Sequence, residues 1–169
     1  MDCNDVFLRI LASDDVSERY LRWMSDPDVL LYLESRFASF SLQSLRGYVE
    51  AVNASSRDIL FGIFTRQDGH VGNVKIGGID PVHRFGDLGI LVGEPGVRGR
   101  GIGTKAIVLA TQYAFCDLNL NKLFAGIYAP NEPSRRAFEK AGYRQAGVLR
   151  QHRFFKGAFV DQIMMECLR

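Results

Sequence analysis

The chain predicts a mixed α/β fold, on three observations. Apolar or alternating runs fill its middle, helical spacing alternates with strand-like runs in its second half, and Asp68-Gly69 and Lys156-Gly157 read as tight turns. Strands joined by hairpins and interrupted by amphipathic helices bury their apolar faces as helices layered on a sheet. With 169 residues, 47% of them hydrophobic and 24% charged, a single domain over 1–169 with one full core is expected.

Val6 to Leu11 is a β-rich run, and Ser13 with Asp14 and Asp15 reads as an N-cap and acidic first turn of a helix reaching about Met24. Pro27 opens a second short turn through Asp28 to Leu33. Ser41 then caps a stretch in which Leu42, Leu45, Tyr48, Val49 and Val52 keep helical spacing, leaving an exposed aromatic segment, Tyr32 to Phe40, between the helices. Ile59 to Phe64 and His70 to Ile79 form a hairpin. His83-Arg84-Phe85-Gly86 connects it to the strand Asp87 to Gly93. A helix from Thr104 to Phe115, a strand from Lys122 to Ala129 and a helix opened by Pro133 and closed at Ala141-Gly142 follow. Tyr143 to Leu149 and Phe159 to Leu168 give closing strands, so about four strands surround a βαβα centre.

Composition excludes several functions. A net charge of +2, with basic residues scattered among 19 acids, is far from a nucleic-acid binder. The start, Met1 to Asp5, lacks a basic and then apolar leader, and no run approaches the roughly 18 apolar residues of a membrane span, so a soluble, cytoplasmic protein without membrane partner is expected. Cys3, Cys116 and Cys167 show no C-x-x-C spacing, and His70, His83 and His152 lie far apart, so neither disulfides nor a metal site are expected and the histidines read as loop or surface residues.

The most informative segment is Arg98-Gly99-Arg100-Gly101-Ile102-Gly103-Thr104, between an apolar strand and a helix. A helix start leaves its first N–H groups unpaired and carries about half a positive charge, so it favours a phosphate. Glycines at 99, 101 and 103 keep Cβ atoms away from those amides, and Arg98, Arg100 and Lys105 add charge. Thr104 stands where a dinucleotide fingerprint needs its third glycine, and Gly103-Thr104-Lys105 inverts the order of a P-loop, so neither a nicotinamide cofactor nor a nucleoside triphosphate fits.

Arg98, Gly101 and Gly103 satisfy R/Q-x-x-G-x-G/A, and there the chain resembles the acetyl-CoA loop of the GNAT acetyltransferase superfamily. Asn131 to Tyr143, with Ser134, Phe138-Glu139-Lys140 and Gly142, resembles a second motif block of that superfamily about 30 residues on. The branch it resembles contains ribosomal-protein N-terminal, spermidine and nucleotide-amino-sugar acetyltransferases, on His83-Arg84, Asn119 to Lys122 and Lys156-Gly157 with Asp161. This resemblance implies a mostly antiparallel central sheet with splayed middle strands, flanked by helices. It implies acetyl-CoA as cosubstrate, no metal, and direct transfer to a small-molecule or peptide amine.

On that resemblance, the backbone of Ile90, Leu91 and Val92 holds the pantetheine arm as an added strand would. The 99–104 loop, Arg98 included, grips the diphosphate, and Asn131 holds the arm or caps its helix. Arg135, Arg136 and Lys140 either reach the ribose phosphate or form a solvated face. Asp87 is the expected general base, or a strand-end solubilising charge, with Asp161 and Glu34 as lesser candidates, the second because the Tyr32-to-Phe40 segment should border the acceptor cleft. A family tyrosine that would serve as acid is replaced by Phe138, leaving Ser134 as donor to the leaving sulfur or as a plain first-turn residue; Tyr143 is the alternative acid, or a core aromatic. Glu34, Phe37 and His83 are expected at the acceptor site, with Trp23, Tyr32 and Phe40 lining a pocket or the core. Cys116 is a poor nucleophile. The preferred acceptor is an amino group on a nucleotide-linked sugar; a protein N-terminus or polyamine is the alternative, and a non-catalytic acyl-CoA sensor is the rival of another class. The apolar run Ile163-Met164-Met165 suits a homodimer contact or the core equally.

Overall fold

The computed structural model describes residues 5–169 and the backbone of residues 2 and 3, so the readings made on Met1, Asn4 and the Cys3 thiol lie outside the described residues. Among the described residues eight strands form one sheet: β1 (Asp2–Cys3), β2 (Val6–Ile10), β3 (Ile59–Thr65), β4 (Gly69–Asp80), β5 (Phe85–Val92), β6 (Lys122–Tyr128), β7 (Arg144–Phe155) and β8 (Ala158–Leu168). Their spatial order is β1-β2-β3-β4-β5-β6-β8-β7, antiparallel throughout except for the parallel β5–β6 pair. Parallel neighbours need a crossover. Here it is the loop after β5 followed by the helix α4 (Ile102–Cys116).

Two apolar clusters cover the two faces of the sheet. β3 shows the division: Phe61 and Ile63 join one cluster and Leu60 the other, as the two-residue period requires. On the first face α4 buries Ala106, Ile107, Ala110 and Ala114, each side chain the size of isoleucine contributing roughly 1.5–3 kcal/mol. On the second lie α1 (Glu18–Trp23), α2 (Pro27–Leu30) and α3 (Leu42–Asn53). Ser41 and Ser44 cap α3 reciprocally at 3.1 and 2.9 Å, and Leu45, Val49 and Val52 turn inward, as the spacing predicts. α5 (Glu132–Lys140) returns to the first face and ends in Gly142, whose φ of 93° is the left-handed turn expected after a helix.

Several boundaries differ from the sequence reading. The described residues form eight strands rather than about four, because β1 pairs with β2 and β2 with β3, so the first strands extend the same sheet; β7 runs on through two register breaks to Phe155. Ser13 to Asp15 forms only a 3-10 turn; the cap of α1 is Ser17, whose side chain accepts from the Tyr20 N–H at 3.4 Å. The strand expected from Asp87 begins at Phe85. Met165 lies in the core and Ile163 packs against it, while Met164 points to the other face of β8 and belongs to neither apolar cluster. No helix among the described residues is long and apolar enough to cross a membrane.

Candidate functional site

β5 ends where Trp23 covers Gly93: a Cβ added there would lie 2.2 Å from the indole, which makes Trp23 a core residue. A 3-10 turn, Pro95–Val97, redirects the chain, with Arg98 N–H donating to Pro95 at 3.2 Å and Arg100 N–H to Val97 at 3.3 Å. Gly99 and Gly101 then adopt φ of 79° and 74°, and Gly101 caps α4 without a side chain to pair its amides. Among the described residues, no backbone carbonyl accepts from the N–H groups of Gly99, Gly101, Ile102, Gly103 or Thr104. The glycines therefore act for two reasons. Residues 99 and 101 need the left-handed region, whereas an added Cβ at 103 would sit in ordinary contact, 3.6 Å from Val92.

These amides open into a cleft of about 840 Å³. Its far wall is the start of α5, where Asn131 accepts from the Ser134 N–H at 3.3 Å, so Asn131 caps its helix and borders the cleft at once. Ser134 and Lys140 line it, as do Asp28, Val29 and Tyr32 from the opposite side. The side chains of Arg98 and Lys140 have no ion-pair partner among the described residues and remain available to an anion. Arg100 is paired instead: its guanidinium turns to Asp68, 2.9 Å distant, and it is not among the residues lining the cleft. Arg135 is likewise held by Glu132 and Glu139. Glu132 is pulled down to about 2 by the two arginines bonded to it.

The floor of the cleft is an open strand edge. β5 pairs with β6 only at Phe85, Gly86 and Asp87, after which the two strands part, as the resemblance implies. Leu91 stands opposite Asn73, and Gly93 N–H donates to the Val71 carbonyl at 3.0 Å, so odd-numbered residues turn their peptide groups to β4. Ile90 and Val92 present theirs to the gap. Leu91 therefore contributes its side chain rather than its backbone.

A second, smaller hollow of about 280 Å³ lies on the other face, and the sequence reading missed it. Tyr20, Leu33, Ser35, Phe40 and Tyr48 form its walls, and Asn73, Lys75, Gly89 and Leu91 its floor. The signal was the two-residue period: once the β4–β5 hairpin register is known, Asn73, Lys75, Gly89, Leu91 and Asp87 must share a face. Solvent reaches Asp87, yet the surrounding protein strips enough water to push its carboxyl above the ordinary range, with Lys75 acting the other way.

Other expected site residues lie elsewhere. His83 is exposed on the β4–β5 connection and stacked on Phe85, at the opposite end of β5 from the loop. Phe37 is 73% exposed under the Arg36 guanidinium, away from both cavities. Glu34 is bound by the Tyr128 hydroxyl at 2.6 Å and by Arg153 at 3.1 Å, a network that joins the 3-10 turn Glu34–Phe37 to β6 and β7. Phe138 is buried against Tyr143, whose hydroxyl is shared with Thr111 at 2.8 Å, so neither ring is a proton donor in the cleft. His70 is no surface residue; it is wedged among Phe64, Tyr20 and Trp23, and burial lowers its basicity.

Comparison with known proteins agrees with this geometry. Residues 5–144 match the model of the GNAT acetyltransferase domain. The chain is 33% identical over 94 residues to the spermidine N(1)-acetyltransferase of Escherichia coli K12, covering 56% of this chain and 50% of that protein, so it spans half the length of that relative. It is 30% identical over 141 residues to an uncharacterized prophage-derived N-acetyltransferase of Bacillus subtilis, covering 82% and 77%. The crystal structure of Vibrio cholerae spermidine N-acetyltransferase with CoA and spermine superposes with a TM-score of 0.86 at 22% identity, over 98% and 96% of the chains, which establishes likeness of fold.

Proposed function

Because the chain belongs to the GNAT acetyltransferase family, we propose that it is an N-acetyltransferase moving an acetyl group directly from acetyl-CoA to a primary amine. The observation that carries this reading is the set of amides at Gly99 and at Gly101 to Thr104 that no backbone carbonyl accepts from among the described residues, facing a cleft continuous with the free edge of β5. The loop amides and Arg98 bind the diphosphate, Ile90 and Val92 offer peptide groups to the amide-rich arm, and Asn131 borders it. The cosubstrate supplies the activated acyl thioester.

The acceptor must lose a proton before it attacks. A lysine-like amine is only about 0.04% neutral at pH 7, and an α-amine about 10–20%, so the demand on a base depends on the acceptor. Asp87 takes that proton, directly or through water, its carboxyl raised toward neutrality by its surroundings. Ser134, in the first turn of α5, stands on the cleft wall as donor to the departing sulfur.

For the acceptor, the names of the relatives speak for a polyamine and not for the nucleotide-linked sugar expected above. A thiol-release assay with acetyl-CoA against spermidine, amino-sugar nucleotides and peptides with free N-termini tests this: turnover with spermidine above the others is expected. Turnover with none, while CoA still binds, would replace the enzyme by an acyl-CoA sensor.

A further inference from the structure

β4 and β5 pair with Gly77 opposite Asp87 and Lys75 opposite Gly89, so Lys75 and Asp87 are diagonal neighbours on one face. Gly77 leaves a gap between them. The Cβ it lacks would lie 3.6 Å from Lys75 Nζ and 3.1 Å from Asp58 Oδ1. Lys75 Nζ is fixed by Asp58 at 2.9 Å, and Asp58 in turn accepts from the Ser55 hydroxyl at 2.9 Å. The ammonium is thus suspended over Gly77, held by one carboxylate and neighbouring another.

We propose that Lys75 is a positioning residue of the reaction, whose charge keeps Asp87 a carboxylate able to receive the acceptor's proton. The proposal rests on the acetyltransferase reading and on Asp87 as its base. Desolvation by the surrounding protein favours the neutral form of Asp87, which cannot take up the acceptor's proton; a nearby cation opposes that drift. The other groups around the site do not supply it. Tyr48 on α3 and Tyr20 on α1 bring hydroxyls and no cation to the hollow, the buried Tyr143 hydroxyl is held by Thr111, and beyond Phe124, which stands opposite Asp87 on β6, Glu166 is already bound to Lys122 and Arg144. Without Lys75, the Asp58 and Asp87 carboxylates would face the same gap and repel, which raises Asp87 further.

The test compares Lys75→Met and Lys75→Arg with the wild type, using calorimetric CoA affinity and melting temperature to confirm folding; Lys75→Gln serves if the methionine variant does not fold. Two readouts are taken: the carbon-13 carboxyl titration of Asp87 in the unliganded protein, and the pH profile of kcat/KM with the best acceptor. In Lys75→Met the Asp87 midpoint and the acid limb of the rate should both move to higher pH, lowering kcat/KM on that limb by about threefold or more, while Lys75→Arg stays near the wild type. An Asp87 midpoint that does not rise overturns the proposal. A midpoint that rises while the rate profile stays fixed also overturns it, and locates the failure in Asp87 as base. Should no amine turn over, the titration alone still decides the charge coupling.

Discussion

Gly103 separates a binding role from a folding role with one methyl group. It lies in the first turn of α4 with ordinary helical geometry, and a Cβ there would rest 3.6 Å from Val92 and 3.9 Å from Ile90, in normal contact. Gly103→Ala therefore clashes with nothing in the folded chain and relieves the entropic cost of glycine in a helix, about 0.5 kcal/mol near a helix end. For a chain of this size that raises Tm by roughly 1–2 °C. The same methyl takes space in the cleft that Gly103, Val92 and Ile90 line, beside the amides of residues 102 to 104, so on the proposed diphosphate site CoA affinity should fall about tenfold or more, equal to about 1.4 kcal/mol. Scanning calorimetry of the unliganded protein and titration calorimetry with CoA measure the two effects. A variant that melts higher and binds CoA as tightly as the wild type refutes the placement of the diphosphate, and a variant that melts lower refutes the reading of Gly103 as an unstrained helical residue.

Asp87→Asn should lower kcat/KM for a lysine-like amine by about 100-fold or more near pH 7 and replace the Asp87 limb of its pH profile by the steady rise with pH that the free-amine fraction sets. Because desolvation by its neighbours raises the Asp87 carboxyl in the folded state, its ionised form opposes folding at neutral pH; the variant should melt higher at pH 7 to 8, and the gain should vanish as pH falls below the ordinary aspartate range. Phe138→Tyr places a hydroxyl beside Tyr143 with no partner assigned to it, so it should cost about 1–3 kcal/mol by denaturant melts and leave kcat without gain; a rate increase would mean that this position reaches the cleft. Gly93→Ala drives a methyl to 2.2 Å from the buried Trp23 ring and should destabilise by about 1–3 kcal/mol, visible as a lower Tm and a changed tryptophan emission; an unchanged melt would contradict that packing.

What the sequence discloses is what local chemistry decides. The glycine turn ahead of α4, the Asn131 cap, the Asp68-Gly69 and Lys156-Gly157 turns and the strand-to-helix crossover all depend on residues within a few positions of one another, and each is found where the pattern puts it. Long-range pairing is what it conceals. Arg100 belongs by position to the loop, yet an acid 32 residues earlier captures it. Glu34 was placed near the acceptor by proximity to an aromatic segment, whereas Tyr128 and Arg153, about a hundred residues on, decide where it points. His83 has the right neighbours in sequence and the wrong end of the strand in space. The second hollow escaped because its floor alternates residues from two strands, and only their register brings Lys75 beside Asp87.

Ile90, Leu91 and Leu33 line the large cleft and the small hollow alike. A ligand in either space thus touches a partition that the other also touches, and their affinities form one thermodynamic cycle. By reciprocity, if the thioester arm firms that partition and tightens the grip on an amine by some factor, the amine tightens the grip on the arm by the same factor. Shaving Leu91 should weaken both occupants and, more tellingly, the cooperativity between them, so that two ligands which help each other in the intact protein would come to bind as strangers.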